Sequence, residues 1–375
     1  MIFYLVLFSS LFISSLLPEF FLHRKNKKLS RFLSVFFPIL LLFLVCVLKS
    51  NSVGYDTVAY ATAYEKGSSN FEPLFSFLMV LFHKMGFTFR IFQIFVYLVI
   101  FIPLGFVIYK TSQYPGLTIF LYCSWWFLVF SFSGIRQSMA ISLCLLAIYL
   151  ASKRNFWSII FSLAIVILSG FLHKSAFIVC IIYPLLFAKD YRSFAPYLLL
   201  IQSLFFIFVP YIYEFIFYGM LKSSYLPDEN SGVGELTVIY MLLYLFLVVM
   251  SFSNPVFNKV NDIFSHFDRL KRQEQSRLIE EPEVQKEPDS FTELSIVLFG
   301  FSVIFETFSR TSLTFTRISY SFLILGIFAI PNVISLQKSR VLKLTLYLLF
   351  VLGFLGFFFV ECFSPNYLHC NPYSF

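Results

Sequence analysis

Apolar runs of roughly 15 to 22 residues recur along this chain, and at 1.5 Å per helical residue each is long enough to cross most or all of a hydrocarbon core about 30 Å thick. The runs are continuous and do not alternate polar with apolar, so they specify helices and exclude a β-barrel. Lipid offers no partners to a bare backbone, and each helix must satisfy its own N–H and C=O groups. With 13% charged residues against a usual value of about 25%, a soluble globular fold is excluded. The fold class is all-α, a polytopic transmembrane helical bundle.

The formal net charge is +8, but Lys and Arg sit in short loops between apolar runs rather than on a patch of a soluble domain. They read as topology signals, and no nucleic-acid partner is implied. The partner the composition does require is the lipid bilayer. Cys46, Cys123, Cys144 and Cys180 fall inside apolar runs, where a thiol behaves as a small hydrophobe. Cys362 and Cys370 fit no usual metal spacing, and their pairing stays open.

The first run, Ile2 to Leu22, precedes its basic segment, the reverse of a secretory signal, and is expected to be a retained helix. Arg24, Lys25, Lys27, Lys28 and Arg31 place the following loop in the cytoplasm and the N-terminus outside. The stretch Pro73 to Phe87 contains His83 and Lys84 and is short. Treating it as one re-entrant or interfacial helix brings the later basic loops into register. About twelve transmembrane helices follow: 2–22, 32–48, 90–109, 115–133, 137–151, 156–171, 175–188, 194–216, 236–252, 293–309, 318–336 and 344–360. Three regions are expected within one integrated membrane domain. They are an N-terminal part, 1–253, with an external loop at 50–72; a charged cytoplasmic loop, 254–292; and a C-terminal part, 293–375, ending outside.

In this topology one face, the outer, collects Asp56, Tyr60, Glu72, Arg90, Arg136, His173, Lys174, Arg310 and Arg317. Arg136, Lys174 and Arg317 fall at expected helix N-termini, where the macrodipole disfavours a cation by a few tenths of a kcal/mol or more. Helix N-termini with added cations suit an anion such as phosphate or diphosphate. The competing reading is that the three side chains snorkel to the interface. Asp56, in Gly54-Tyr55-Asp56, could serve as general base toward a sugar hydroxyl or simply as a turn residue. Glu72 could cap the helix that starts at Pro73, and His173 could bind phosphate, shuttle a proton or be structural. Glu306 and Arg310 have the spacing of an intrahelical ion pair. Trp125, Trp126 and Trp157 read as an interfacial belt. No nucleotide-binding loop or zinc-ligand spacing is present, and no metal or other cofactor is expected.

The chain resembles the EpsG family of membrane proteins, related in role to the Wzy-type polysaccharide polymerases. The resemblance rests on Gly54-Tyr55-Asp56 with Tyr60, Glu72-Pro73, GIRQSMAISL (134–143), FLHKSA (171–176) and TRISYSF (316–322). It implies a glycosyltransferase with a GT-C-like fold in the bacterial cytoplasmic membrane. Its role would be joining undecaprenyl-diphosphate-linked oligosaccharide repeats into O-antigen, capsule or exopolysaccharide. Asp56, Arg136 and His173 would be catalytic; Tyr60, Glu72, Arg136, Lys174 and Arg317 would bind diphosphate and sugar. A chain-length regulator and a flippase of the same pathway are implied partners. Two alternatives stay open: a flippase for the lipid-linked repeat, and a membrane O-acyltransferase acting on the glycan. The 254–292 loop has no counterpart in the pattern that carries the resemblance.

Overall fold

The structure, a computed structural model, describes residues 2–16, 27–67, 70–188, 191, 194–213, 236–252, 288–309, 313–362 and 373–374. All regular elements among them are helical. Every apolar run read from the sequence forms a helix over its described part. In chain order these are α1 (Ile2–Leu11, continued by a π-turn), α2 (Lys27–Leu48), α3 (Thr57–Glu65), α4 (Pro73–Lys84), α5 (Phe89–Thr111), α6 (Pro115–Ser124), α7 (Phe127–Ser133) and α8 (Ile135–Ala151). There follow α9 (Phe156–Leu172), a 3₁₀ stretch (Lys174–Ile181), α10 (Ile182–Leu186), α11 (Phe194–Tyr213), α12 (Thr237–Phe252), α13 (Ser290–Thr307), α14 (Leu313–Leu323), α15 (Gly326–Leu336) and α16 (Arg340–Cys362).

Five helical stretches are long and apolar enough to cross a bilayer: Lys28–Leu48, Phe89–Thr111, Ser290–Thr307, Thr314–Leu336 and Arg340–Val360. A sixth is gained if α6 and α7, bent by 51°, form one broken span. The protein is therefore a multi-pass helical membrane protein. Pro73–Lys84 has 12 residues, and at the usual rise it is about 18 Å long, well short of the hydrocarbon core.

The chain forms two compact units, Met1–Phe177 with Leu344–Phe375, and Ile178–Lys343. In the first, α5 packs on α2 and α8, α8 on α9, and α9 on α4. Helices α2 and α5 run antiparallel and are tied at both ends by arginine. Arg31 at the start of α2 donates to the carbonyls of Tyr109 and Ser112, at 2.6 and 2.8 Å. Arg90 at the start of α5 donates to the carbonyls of Val47 and Lys49. Each guanidinium thus satisfies C-terminal carbonyls that have no partner within their own helix. In the second unit α13 is the hub, packing against α11, α12, α14 and α15.

Four expectations change. The run 115–133 is interrupted at Trp125–Trp126, where Trp126 adopts a left-handed φ of 70°. That conformation is costly for a non-glycine residue and is offset by packing, since Trp125 is buried with its ring 4.7 Å from Phe354. Trp125 is therefore a core residue and not part of an interfacial belt, whereas Trp157 is 66% exposed. The segment after His173 opens as a 3₁₀ turn rather than an α-helix. The helix expected from residue 318 begins at Leu313, so Arg317 lies in its second turn, beyond the reach of the terminal N–H groups. Cys46, Cys123 and Cys144 are buried free thiols, as expected of small hydrophobes in apolar runs. Arg310, the side chain of Cys362, Cys370 and the loop through residue 287 lie outside the described residues.

Candidate functional site

The site begins with the turn after α2. Gly54 has φ +93°, and a Cβ there would stand 2.3 Å from the carbonyl oxygen of Phe132, so both conformation and space require glycine. The close approach is held by polar contacts. The Asp56 N–H donates to Ser133 Oγ at 3.1 Å, and the Thr57 hydroxyl lies 2.9 Å from the carbonyls of both Phe132 and Val53. Inside the turn is Lys49, fully buried, whose Nζ donates to Val53 O at 2.8 Å and to Thr57 Oγ1 at 2.9 Å. From the other side Ser374 meets the backbone N–H of Ser50 and the hydroxyl of Ser52, while Tyr373 stacks on Phe3 and donates to Val45 O. Asp56 is thereby fixed to the last two residues of α7. Only Gly134 and Ile135 separate those residues from Arg136.

Asp56 occupies the N-cap position of α3 but makes no side-chain cap bond, leaving its half-buried carboxylate available. One turn later Tyr60 is buried and accepts a hydrogen bond at its hydroxyl from Arg136 Nε, at 3.1 Å. Arg136 Nη1 pairs with Glu72 Oε2. The guanidinium also lies over the Phe71 ring, 4.5 Å from its centroid, and over the Tyr60 ring at 5.5 Å. Tyr60 and Glu72 thus hold the guanidinium at Nε and Nη1, with the Phe71 ring against its face. Its Nη2 has no protein partner among the described residues, and the side chain keeps 22% exposure. A fixed guanidinium with Nη2 uncommitted can donate to a single anionic oxygen.

Glu72 occupies the N-cap position of α4, followed by Pro73 at N1, yet makes no side-chain cap bond. Its carboxylate turns to Arg136 instead, and its second oxygen faces His173 Nε2 at 4.0 Å. His173 is held from the other side by Ser175, whose hydroxyl is 2.8 Å from Nδ1. Burial pushes the Tyr60 phenol above its ordinary value; Arg136 opposes that shift, while Asp56 and Glu72 add to it. All three charged groups are thus within electrostatic reach of Tyr60.

The first unit therefore brings together five of the seven candidate residues in one neighbourhood or its immediate chain neighbour: Asp56, Tyr60, Glu72, Arg136 and His173. Lys174 follows His173 as the exposed first residue of the 3₁₀ stretch. Arg317 belongs to the second unit, on an exposed face of α14. In that unit Glu306 is buried near the end of α13, close to Ser319 and Ser309, with one oxygen unpartnered among the described residues. No group of three or more described His, Cys, Asp or Glu residues could hold a metal ion.

Sequence reasoning missed Lys49, Phe71, Thr57 and Ser133. A lysine as the first residue past an apolar run looks like an interfacial anchor, and nothing local reveals that it turns inward. Serine and threonine in apolar runs carry no signal of their partners, because those lie 75 residues or more away in sequence. Phe71 is one of 54 phenylalanines.

The architecture and the polar cluster at one end of the first unit define a multi-pass helical membrane protein with an anion-competent site. The profile of the EpsG family matches residues 32–375, and the chain belongs to that family. This places it among membrane proteins of polysaccharide biosynthesis, a group associated with glycosyl transfer. No curated protein and no solved structure matches the chain.

Proposed function

We propose that this protein is a polysaccharide polymerase that joins polyprenyl-diphosphate-linked repeat units on the outer face of the bacterial cytoplasmic membrane. The observation that carries the reading is the half-open Arg136. Its guanidinium is held by Tyr60 and Glu72, leaves Nη2 without a protein partner among the described residues, and shares its neighbourhood with the uncapped carboxylate of Asp56. In the reaction a hydroxyl of the acceptor repeat attacks the anomeric carbon of the donor glycan. The bond to the polyprenyl diphosphate breaks, and the diphosphate leaves with the electron pair. Asp56 takes the hydroxyl proton. Arg136, with Lys174, binds the diphosphate and stabilises the charge that develops on it. Tyr60 and Glu72 complete the substrate contacts, and His173 serves the proton balance beside Glu72.

The accompanying topology has about twelve spans in a GT-C-like bundle. Pro73–Lys84 lies re-entrant or at the interface, both termini are outside, and the 254–292 loop is cytoplasmic. Its support is that twelve apolar helical runs remain when Pro73–Lys84 is set aside, and that this helix is too short to cross. The substrate is an undecaprenyl-diphosphate-linked oligosaccharide, and a flippase and a chain-length regulator would act with the enzyme.

Deleting the gene and sizing the surface glycan, with the wild-type gene or Arg136→Ala supplied back, tests the reading. A polymerase predicts single repeats at the surface without long chains, in the deletion and in the Arg136→Ala strain alike. Lipid-linked repeats trapped inside with no surface glycan would instead identify a flippase. Long chains lacking only an acyl substituent would identify an acyltransferase.

A further inference from the structure

Lys49 has no part in the reaction proposed above, yet it is the least expected side chain in the first unit. It is fully buried, no carboxylate contacts it among the described residues, and the charged group that acts on it is Arg90, which donates to the Lys49 carbonyl at 2.9 Å. A buried ammonium without a counter-charge is expensive, and a methionine would fill similar volume without that cost. Stability alone does not explain a lysine here. Its two bonds do, because Val53 O and Thr57 Oγ1 are the two ends of the turn that carries Gly54, Tyr55 and Asp56.

We propose that Lys49 is a positioning residue for Asp56. It clamps the 53–57 turn from within and so sets the place of the Asp56 carboxylate relative to Arg136, without touching substrate. The chain of contacts is short. Lys49 Nζ holds Val53 O and the Thr57 hydroxyl; Thr57 lies against Phe132 O; the Asp56 N–H is on Ser133 Oγ; and α8 begins two residues later with Arg136 in its first turn. Without the ammonium the carbonyl of Val53 and the Thr57 hydroxyl lose a shared donor, and the turn is free to move away from Phe132. A general base displaced by about 1 Å loses rate by up to about 100-fold while substrate binding through Arg136 persists. Burial lowers the proton affinity of Lys49 to about 8, but a neutral amine keeps two N–H donors, so the clamp survives deprotonation.

This inference rests on the polymerase reading, and the experiment separates the two. Full-length protein in membranes is given purified lipid-linked repeat units, and chain extension is followed for the wild type, Asp56→Asn, Lys49→Met and Lys49→Gln. The expected result is a kcat about 10- to 100-fold lower for Lys49→Met with KM changed less than about threefold, and partial recovery in Lys49→Gln, whose amide supplies two donors. Extension by Lys49→Met at the wild-type rate, with Asp56→Asn inactive, would overturn the positioning role and leave the polymerase reading intact. No extension by the wild type would overturn the polymerase reading itself, and this role with it. A rise in KM alone would make Lys49 a binding residue, and absence of both Lys49 variants from the membrane would make it a folding residue; either result overturns the proposal.

Discussion

Arg90 and Arg136 occupy the same position in two neighbouring helices: each is the second residue of an apolar helix, and α5 and α8 pack together. Both carry a charge that the helix N-terminus disfavours. Their fates differ because of what lies opposite. Arg90 faces the C-terminal end of the antiparallel α2 and donates to the carbonyls of Val47 and Lys49, so the negative end of one dipole compensates the charge at the positive end of another. Arg136 faces α3 and the start of α4, which supply a phenol, a carboxylate and two rings but no carbonyl. One arginine closes a helix pair; the other is held ready. A cation at a helix start is therefore no evidence of a binding site until its partners are known.

The contrast is broken most directly by exchanging the two arginines for alanine in turn. Arg136→Ala should lower chain extension per folded molecule by at least about 100-fold, the scale of losing one donor to a developing anion. Arg136→Lys should not restore the rate, since a point-like ammonium lacks the rigid planar spacing that lets a guanidinium bridge Tyr60 and Glu72 with a further nitrogen left over. Arg90→Ala should do the reverse. Losing two charge-assisted bonds to otherwise orphaned carbonyls should cost about 1.5 to 3 kcal/mol of stability, with extension per folded molecule nearly unchanged. If both variants lost activity while remaining equally stable, the distinction between a clasp and a ligand would fail.

A sharper test moves the turn and leaves the arginines alone. Gly54→Ala forces a Cβ onto Phe132 O and should reduce extension by roughly 10- to 100-fold through displacement of Asp56, read as kcat at unchanged membrane content. Smaller still is the effect of pH on Lys49. With a free-chain value of 10.5 and a folded value of about 8, the unfolded chain holds the proton over that interval and the folded chain does not. Stability conferred through this group therefore rises as pH goes from about 8 to 10.5, and Lys49→Met should lack that increment in a difference between its melting profile and that of the wild type. Smallest is Tyr60→Phe, which removes one hydrogen bond to Arg136 while keeping the ring beneath it; about 0.5 to 1.5 kcal/mol in transition-state stabilisation is expected, measured as kcat/KM.

Much of this was legible in the chain, and the parts that were not share a cause. The helices could be read because apolar length is a local property, and so could the short Pro73–Lys84 segment. Glu72, Tyr60, Arg136 and His173 could be nominated because ionisable and phenolic groups beside apolar helices are conspicuous. That Glu72 pairs with Arg136 rather than capping its own helix was not legible, because 64 residues separate the partners. The bend at Trp126, the early start of α14 that takes Arg317 off a helix terminus, and the inward turn of Lys49 are all set by packing. Hydropathy does not encode packing. The same limit explains why Trp125 was read as interfacial: an indole at a run's end and an indole in a core look identical until Phe354 is in place.

The docking of Ser374 against the 50–52 segment has a practical consequence for anyone handling this protein. An affinity handle or fluorescent reporter joined next to Ser374 would be tethered beside a contact that braces the segment leading into the Asp56 turn, and would disturb it. Purification labels belong elsewhere in the chain, and a fusion's loss of function would report on the label before it reported on the site.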